Sequence, residues 1–325
     1  MNGFPTTRLR RLRRCEPLRD MLASVHLARD ELIAPLFVRE GKAARKAIAS
    51  MPGQFQFSVD TALETVRRWA DMGLRAVLLF GIPDKKDGVG SEAWNDSAAV
   101  QRLTGQIKAA LPGMVVITDV CLCEYTDHGH CGTLTDGRTD VDNDATLQSL
   151  SKVAISHAKA GADIVAPSAM MDGQVRAVRD ALDSAGFQST AILSYAVKFA
   201  SSMYGPFREA AQSAPRFGNR RTYQMDYRAP RQALQEAELD IREGADIIMV
   251  KPAATYLDVI ALVRRRFDVP LAAYHVSGEY AALHAAAQNG WLDLKDAAIE
   301  VTAAIKRAGA DLIITYFAEQ LADWL

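Results

Sequence analysis

Three times in this chain a helical pattern ends in the same tripeptide and turns at once into a short apolar run. The repeats are Gly161-Ala-Asp-Ile-Val, Gly244-Ala-Asp-Ile-Ile and Gly309-Ala-Asp-Leu-Ile. Glycine takes the left-handed conformation that closes a helix, and a β-rich run follows. Helix, glycine and strand in repetition call for parallel strands joined by right-handed crossovers. Eight short runs fit: Leu32–Val38, Arg75–Phe80, Met114–Asp119, Asp163–Pro167, Ala191–Val197, Asp246–Val250, Pro270–Val276 and Asp311–Tyr316. All are too short to be full helices. Amphipathic stretches separate most of them. Leu63, Val66, Trp69 and Ala70 share one face of Thr61–Met72, and Ala233, Leu234, Ala237 and Ile241 share one face of Ala229–Glu243. Eight units predict an α/β fold of the (β/α)8 TIM-barrel class, with active residues at the C-terminal ends of the strands. The alternative, a doubly wound open sheet, would usually place a Gly-rich phosphate loop after its first strand. Here that strand leads into Arg39-Glu-Gly-Lys.

Length alone, 325 residues, suggests two domains, but a barrel can use it as one. We divide the chain into an arm, residues 1–30, and a barrel domain, residues 31–325, whose stretch 199–228 forms a lid. The arm carries Arg8, Arg10, Arg11, Arg13 and Arg14, with no acid before Glu16. Arg-rich, acid-poor segments also occur as targeting peptides. We read this one as an arm that docks on a neighbouring subunit, because a terminal segment stays disordered unless tied down. Cys15, at its edge, reads as a bystander. The net charge of −1 gives no case for nucleic acid or a membrane surface. No apolar run approaches the roughly 18 residues of a membrane span.

Three of the four cysteines lie within Asp119–Gly132, DVCLCEYTDHGHCG, directly after a predicted strand. Clustered cysteines argue against a spread disulfide framework and for a reducing compartment, with metal or catalytic use. Cys121, Cys123 and Cys131 can bind one soft metal ion and leave its fourth position open, the pattern of catalytic rather than structural zinc. His128 or His130 would instead close the site as a fourth ligand.

Lys198 and Lys251 each close a predicted buried strand. A lysine whose pKa is depressed by desolvation or by a second cation is an amine nucleophile that forms a Schiff base with a ketone. The bland alternative is a side chain that snorkels out of the barrel mouth. After Lys198, Phe199–Arg228 is rich in Gly, Pro, Ser and Arg and lacks periodicity through its middle. Loops of this length are usually lids or disordered, and the aromatics here favour a lid. Its arginines can clamp a substrate carboxylate. Ser168, Ser277 and Tyr316 also end strands and suit the wall of a polar pocket.

Taken together these segments resemble the porphobilinogen synthase family, also called 5-aminolevulinate dehydratase. The likeness runs from about Arg10 to Leu325 and rests on DVCLCEYTDHGHCG, SYAVKFASSMYGPFREA, MVKPAATYLD, YHVSGEY and ITYFAEQLADWL. It implies a cytoplasmic homo-octamer that condenses two molecules of 5-aminolevulinate into porphobilinogen, with loss of two waters, in haem and other tetrapyrrole synthesis. By the same resemblance Lys251 holds the first substrate, which becomes the propionate side, and Lys198 the second, the acetate side. Arg208, Arg220 and Gln224 hold the second carboxylate, and Ser277 and Tyr316 the first. Asp119 and Ser168 assist proton transfer, and the three cysteines bind zinc. Glu236, fifteen residues before Lys251, matches a carboxylate that binds allosteric magnesium in many bacterial members. Two other readings compete. A class I aldolase needs one lysine and no metal. A zinc-binding scaffold forms no lysine adduct.

Overall fold

In the computed structural model, residues 3–137 and 139–325 are described; Met1 and Asn2, the start of the expected arm, lie outside the described residues. The strands are β1 (Leu32–Arg39), β2 (Arg45–Ala47), β3 (Phe55–Ser58), β4 (Ala76–Ile82), β5 (Val115–Val120), β6 (Ile164–Pro167), β7 (Ala191–Lys198), β8 (Ile247–Lys251), β9 (Leu271–His275) and β10 (Leu312–Thr315). The helices are α1 (Glu16–Leu22), α2 (Val59–Asp71), α3 (Ala99–Ala110), α4 (Asn143–Lys159), α5 (Gln174–Ser184), α6 (Gly205–Ala210), α7 (Gln232–Glu243), α8 (Leu257–Arg266), α9 (Ser277–Gln288), α10 (Leu294–Ala308) and α11 (Ala318–Trp324).

β1 and β4 to β10 pair in parallel, each with the next, and β10 returns to β1 through Leu32↔Ile313 and Ile33↔Ile314. The sheet therefore closes into the eight-stranded (β/α)8 barrel that the sequence pattern calls for. All eight expected strands are present, with ends within about two residues. β2 and β3 form an antiparallel pair laid against the end of β1, which the sequence pattern did not reveal. Among the described residues no helix is long and apolar enough to cross a membrane.

The Gly-Ala-Asp repeats explain how the bottom of the barrel is set. Gly161, Gly244 and Gly309 have φ of 101°, 109° and 123°, where a β-carbon is disfavoured. Each following aspartate reaches the neighbouring strand. Asp163 accepts the amide of Val116, Asp246 that of Ile192 and Asp311 that of Leu271, each at 2.8 Å. In return the Asp amides donate to the carbonyls of the same three residues. Hydrogen bonds to a charged acceptor are worth roughly 1.5–3 kcal/mol each. One repeated carboxylate thus fixes the register of three neighbouring strand pairs.

The core has two layers. Val66, Leu103, Val153, Val178, Ile260 and Ile305, all fully buried, belong to the helix faces against the strands. Each such side chain contributes about 1.5–3 kcal/mol by leaving water. Towards the mouth, Phe37, Phe80, Tyr316, Tyr274 and Tyr195 form a chain of ring contacts with centroids 5.6–6.4 Å apart. These rings make the apolar floor on which the polar groups of the mouth rest.

Candidate active site

Lys198 and Lys251 are cross-strand partners, level with one another on β7 and β8. Strand parity alone would not place both inside. Tyr195 faces the lysines: its ring centroid lies 5.4 Å from Lys198 Nζ and 4.9 Å from Lys251 Nζ. A regular strand would turn Lys198, three residues on, to the opposite side. The register shifts between Ser194 and Val197, where three steps of β7 match two of β8. This bulge re-aims Lys198 inward. Both side chains are only 6% exposed, so neither snorkels into solvent. Lys198 Nζ donates to the carbonyl of Ser168, at the end of β6. Burial, and then the charge of Lys198, hold the Lys251 ammonium down to about 7. At neutral pH a large share of Lys251 is therefore free amine.

The three expected cysteines converge beyond the end of β5. Cys121, Cys123 and Cys131 are buried, and their sulfurs lie within 4.8 Å of one another. The Cys121 and Cys123 sulfurs are 3.5 Å apart. Hydrogen bonds from the other two thiols, and the nearby Arg220 and Lys198, pull Cys131 well below the usual thiol range. Cys131 is thus the thiol biased towards thiolate, the form that binds metal, while hydrogen bonds to the other two sulfurs, and then burial, push Cys121 well above the usual thiol range. Neither histidine closes it. His130 has its ring nitrogens on the hydroxyl of Tyr223 and the carbonyl of Phe217, each at 3.1 Å. His128 Nδ1 accepts the amide of His130, and its Nε2 bonds the carbonyl of Gly88. Three soft donors without an imidazole fit a zinc-type ion with an open position.

Asp119 and Ser168 stand at the ends of β5 and β6, both buried. Burial, then the charge of Glu124, pushes the Asp119 carboxyl up to about 8, against the pull of Lys198 and a hydrogen bond from Ser168. Glu124 is a site residue that the sequence reading passed over. It is buried, lies 3.3 Å from Cys123 Sγ, and is pushed up to about 8 by burial and that cysteine. Its one signal in the sequence is its place directly after Cys123.

The expected lid is more ordered than its sequence suggests, because a turn at Ser202–Tyr204 and helix α6 occupy its first third. Its Arg208, Arg220 and Gln224 meet around one cleft of about 630 Å³, with Thr255 and Tyr256 on the far wall. Arg220 is buried and donates to the carbonyls of Gly129 and Ser213. Gln224 has neither amide atom hydrogen-bonded, so both are available to a ligand. Ser277 begins α9, and Tyr316 follows β10 with its hydroxyl 3.1 Å from that of Tyr274. Glu236 stands apart from the lysines, on α7 outside the barrel. It lines a separate cleft of about 420 Å³ with Asp172 and the underside of Gln224. Burial and Asp172 raise its carboxyl.

A family model described as delta-aminolevulinic acid dehydratase matches residues 6–324. Curated relatives of that name include one from Archaeoglobus fulgidus, 53% identical over the whole of both chains. Another, from Methanothermobacter thermautotrophicus, is 55% identical over 98% of this chain and 97% of its own. A third, from Bacillus subtilis, is 49% identical over 98% of each. Among solved structures, delta-aminolevulinic acid dehydratase (porphobilinogen synthase) from Toxoplasma gondii ME49, in complex with the reaction product porphobilinogen, superposes with a TM-score of 0.96. It is 42% identical, and the match covers 98% of this chain and 91% of that one.

Proposed function

The chain belongs to the delta-aminolevulinic acid dehydratase family, and we propose that it is a porphobilinogen synthase, a lyase that joins two molecules of 5-aminolevulinate with loss of two waters. The observation that carries the reading is the pair of buried lysines, level on β7 and β8, beside three converging thiols.

Each substrate is a ketone, and each lysine supplies an amine. Attack of Lys251 on the first carbonyl, with loss of water, gives an imine whose carbon is a better electrophile than the ketone. Lys198 does the same for the second substrate. Tyr316 holds the first carboxylate, joined by Ser277 when its hydroxyl proton turns from the Met203 carbonyl, and Arg208, Arg220 and Gln224 hold the second, so the reacting carbons meet at fixed separation. Asp119, kept largely protonated at neutral pH, gives and takes protons beside Lys198, with Ser168 orienting it. The lid excludes water that would hydrolyse the imines. Cys121, Cys123 and Cys131 would hold zinc, which when bound supplies a Lewis acid for the second substrate.

Glu236 and its cleft suit an allosteric magnesium ion, a hard cation that prefers oxygen donors. Phe4, Leu9, Leu12, Met21 and Leu22 are exposed on the arm. Their exposure supports a homo-oligomer in which a neighbouring subunit would cover them, an octamer by the family's pattern. Unpaired thiols suit the reducing cytoplasm.

The test is to incubate purified protein with 5-aminolevulinate and thiol, with and without a zinc chelator, and to measure the pyrrole colorimetrically. Product that disappears with chelator and returns with zinc is the expected result. Product indifferent to chelation removes the zinc role, and no product under any metal removes the reaction.

A further inference from the structure

Lys251 is held in an aromatic cage. Its Nζ lies 4.1 Å from the ring centroid of Tyr274, 4.9 Å from that of Tyr195, and 5.3 Å from those of Tyr204 and Phe207. Tyr195 and Tyr274 stand on barrel strands. Tyr204 and Phe207 come from the first part of the lid, so half of the cage is complete only while that segment is seated.

One seat for it is the first turn of α9. Ser277 Oγ accepts the amide of Phe207 at 2.9 Å and donates to the carbonyl of Met203 at 3.3 Å. Gly278 follows. A β-carbon there would lie 2.5 Å from the Met203 carbonyl oxygen, 2.7 Å from its Cα and 2.8 Å from its carbonyl carbon. These are backbone atoms and cannot rotate away, so any side chain at this position lifts the segment. Glu279 completes the turn. Its carboxylate takes the amides of Val276 and Ala254 at 2.8 Å and of Thr255 at 3.3 Å. The same turn therefore grips the lid on one side and the loop after Lys251 on the other.

We infer that Gly278 is a positioning residue for Lys251: its missing side chain lets Met203–Phe207 seat on α9 and close the aromatic cage around the amine. The inference rests on the reading of Lys251 as an imine-forming lysine. Lys198 gains no ring from this part of the lid, so the two lysines should respond differently when the seat is spoiled.

The experiment compares the wild-type chain with Gly278→Ala and, as a variant that leaves α9 untouched, Phe207→Leu. Each is incubated with 5-aminolevulinate, reduced with borohydride and digested, and the Lys251 and Lys198 adducts are quantified by mass spectrometry. The expected result is a drop in Lys251 adduct relative to Lys198 adduct of roughly tenfold or more in both variants, the scale of a displacement of about 1 Å near reacting groups. Trypsin should also cut the lid of Gly278→Ala faster than that of the wild type. An unchanged adduct ratio in Phe207→Leu overturns the inference even where Gly278→Ala fails to fold. Equal loss at both lysines in both variants also overturns it, because a general lid defect then accounts for the data. A wild-type chain with no Lys251 adduct removes the underlying function reading instead.

Discussion

Replacing Lys251 by methionine should abolish turnover and strengthen the fold. The amine is buried, and its pKa falls from 10.5 to about 7 on folding, chiefly by desolvation. A depressed folded-state pKa means that the unfolded chain takes up the proton first as pH falls. Stability contributed at this residue is therefore lost between pH 10.5 and 7, and the penalty is complete below 7. At about 1.4 kcal/mol per unit the ceiling is about 5 kcal/mol, with about 4 present at pH 7 and about 2 at pH 9. Methionine keeps the length of the stem and carries no charge, so the variant sheds this penalty with little change in packing. Removing the cation should not strand an ionised carboxylate, because Asp119 is itself held largely protonated at neutral pH. The assay is urea unfolding of both proteins at pH 7 and pH 9, at one protein concentration and one metal content. The variant should unfold at higher urea at pH 7, and its advantage should shrink by about half at pH 9. An equal midpoint at pH 7, or an advantage that does not change with pH, would refute the reasoning.

Other outcomes are open to direct measurement. Cys123→Ala should lower zinc content after dialysis, read by atomic absorption; unchanged content refutes its place as a ligand. Arg220 gives both carbonyls the same nitrogen, Nη2, and its Nε has no partner. Arg220→Lys loses the planar donor set left for a carboxylate, so the KM associated with the second substrate should rise roughly 10- to 100-fold, from about 1.5–3 kcal/mol for a charged hydrogen bond. His157 is buried with neither ring nitrogen paired, and desolvation lowers its pKa to about 3. The unfolded chain, near 6.5, binds the proton first, so the wild type should lose about 2 kcal/mol between pH 7.5 and pH 5 that His157→Leu keeps. Glu236→Gln should abolish any stimulation by magnesium while leaving zinc-dependent turnover in place; stimulation that persists shows that the ion acts elsewhere.

The barrel was legible because its signals are local. The eight runs and the three Gly-Ala-Asp hinges can be read within a few residues of one another. The β2–β3 pair escaped because β2 has three exposed residues, too few for any alternation to register. α6 escaped for a similar reason, with six residues against a helical period of 3.6. At the mouth, the strand-ending lysines and the cysteine cluster stood out as residue types that apolar runs do not explain. The cage around Lys251 did not. Tyr195 and Tyr274 read as ordinary core aromatics, and only the closing of the barrel brings them to one amine with Tyr204 and Phe207. Glu124 reads as one loop acid among many until its burial against Cys123 is seen. Such convergences join residues far apart in the chain, and no local pattern records them.

The bulge in β7 also bears on inheritance. The strand already holds one residue more than its partner between Ser194 and Lys198. Deleting the codon for Ala196 would return β7 to the phase of β8, with the lysine two residues after Tyr195 and both amines still level. Inserting one more would turn that lysine out towards the helices. By register alone, a one-residue deletion in this stretch should keep both amines facing inward and a one-residue insertion should not.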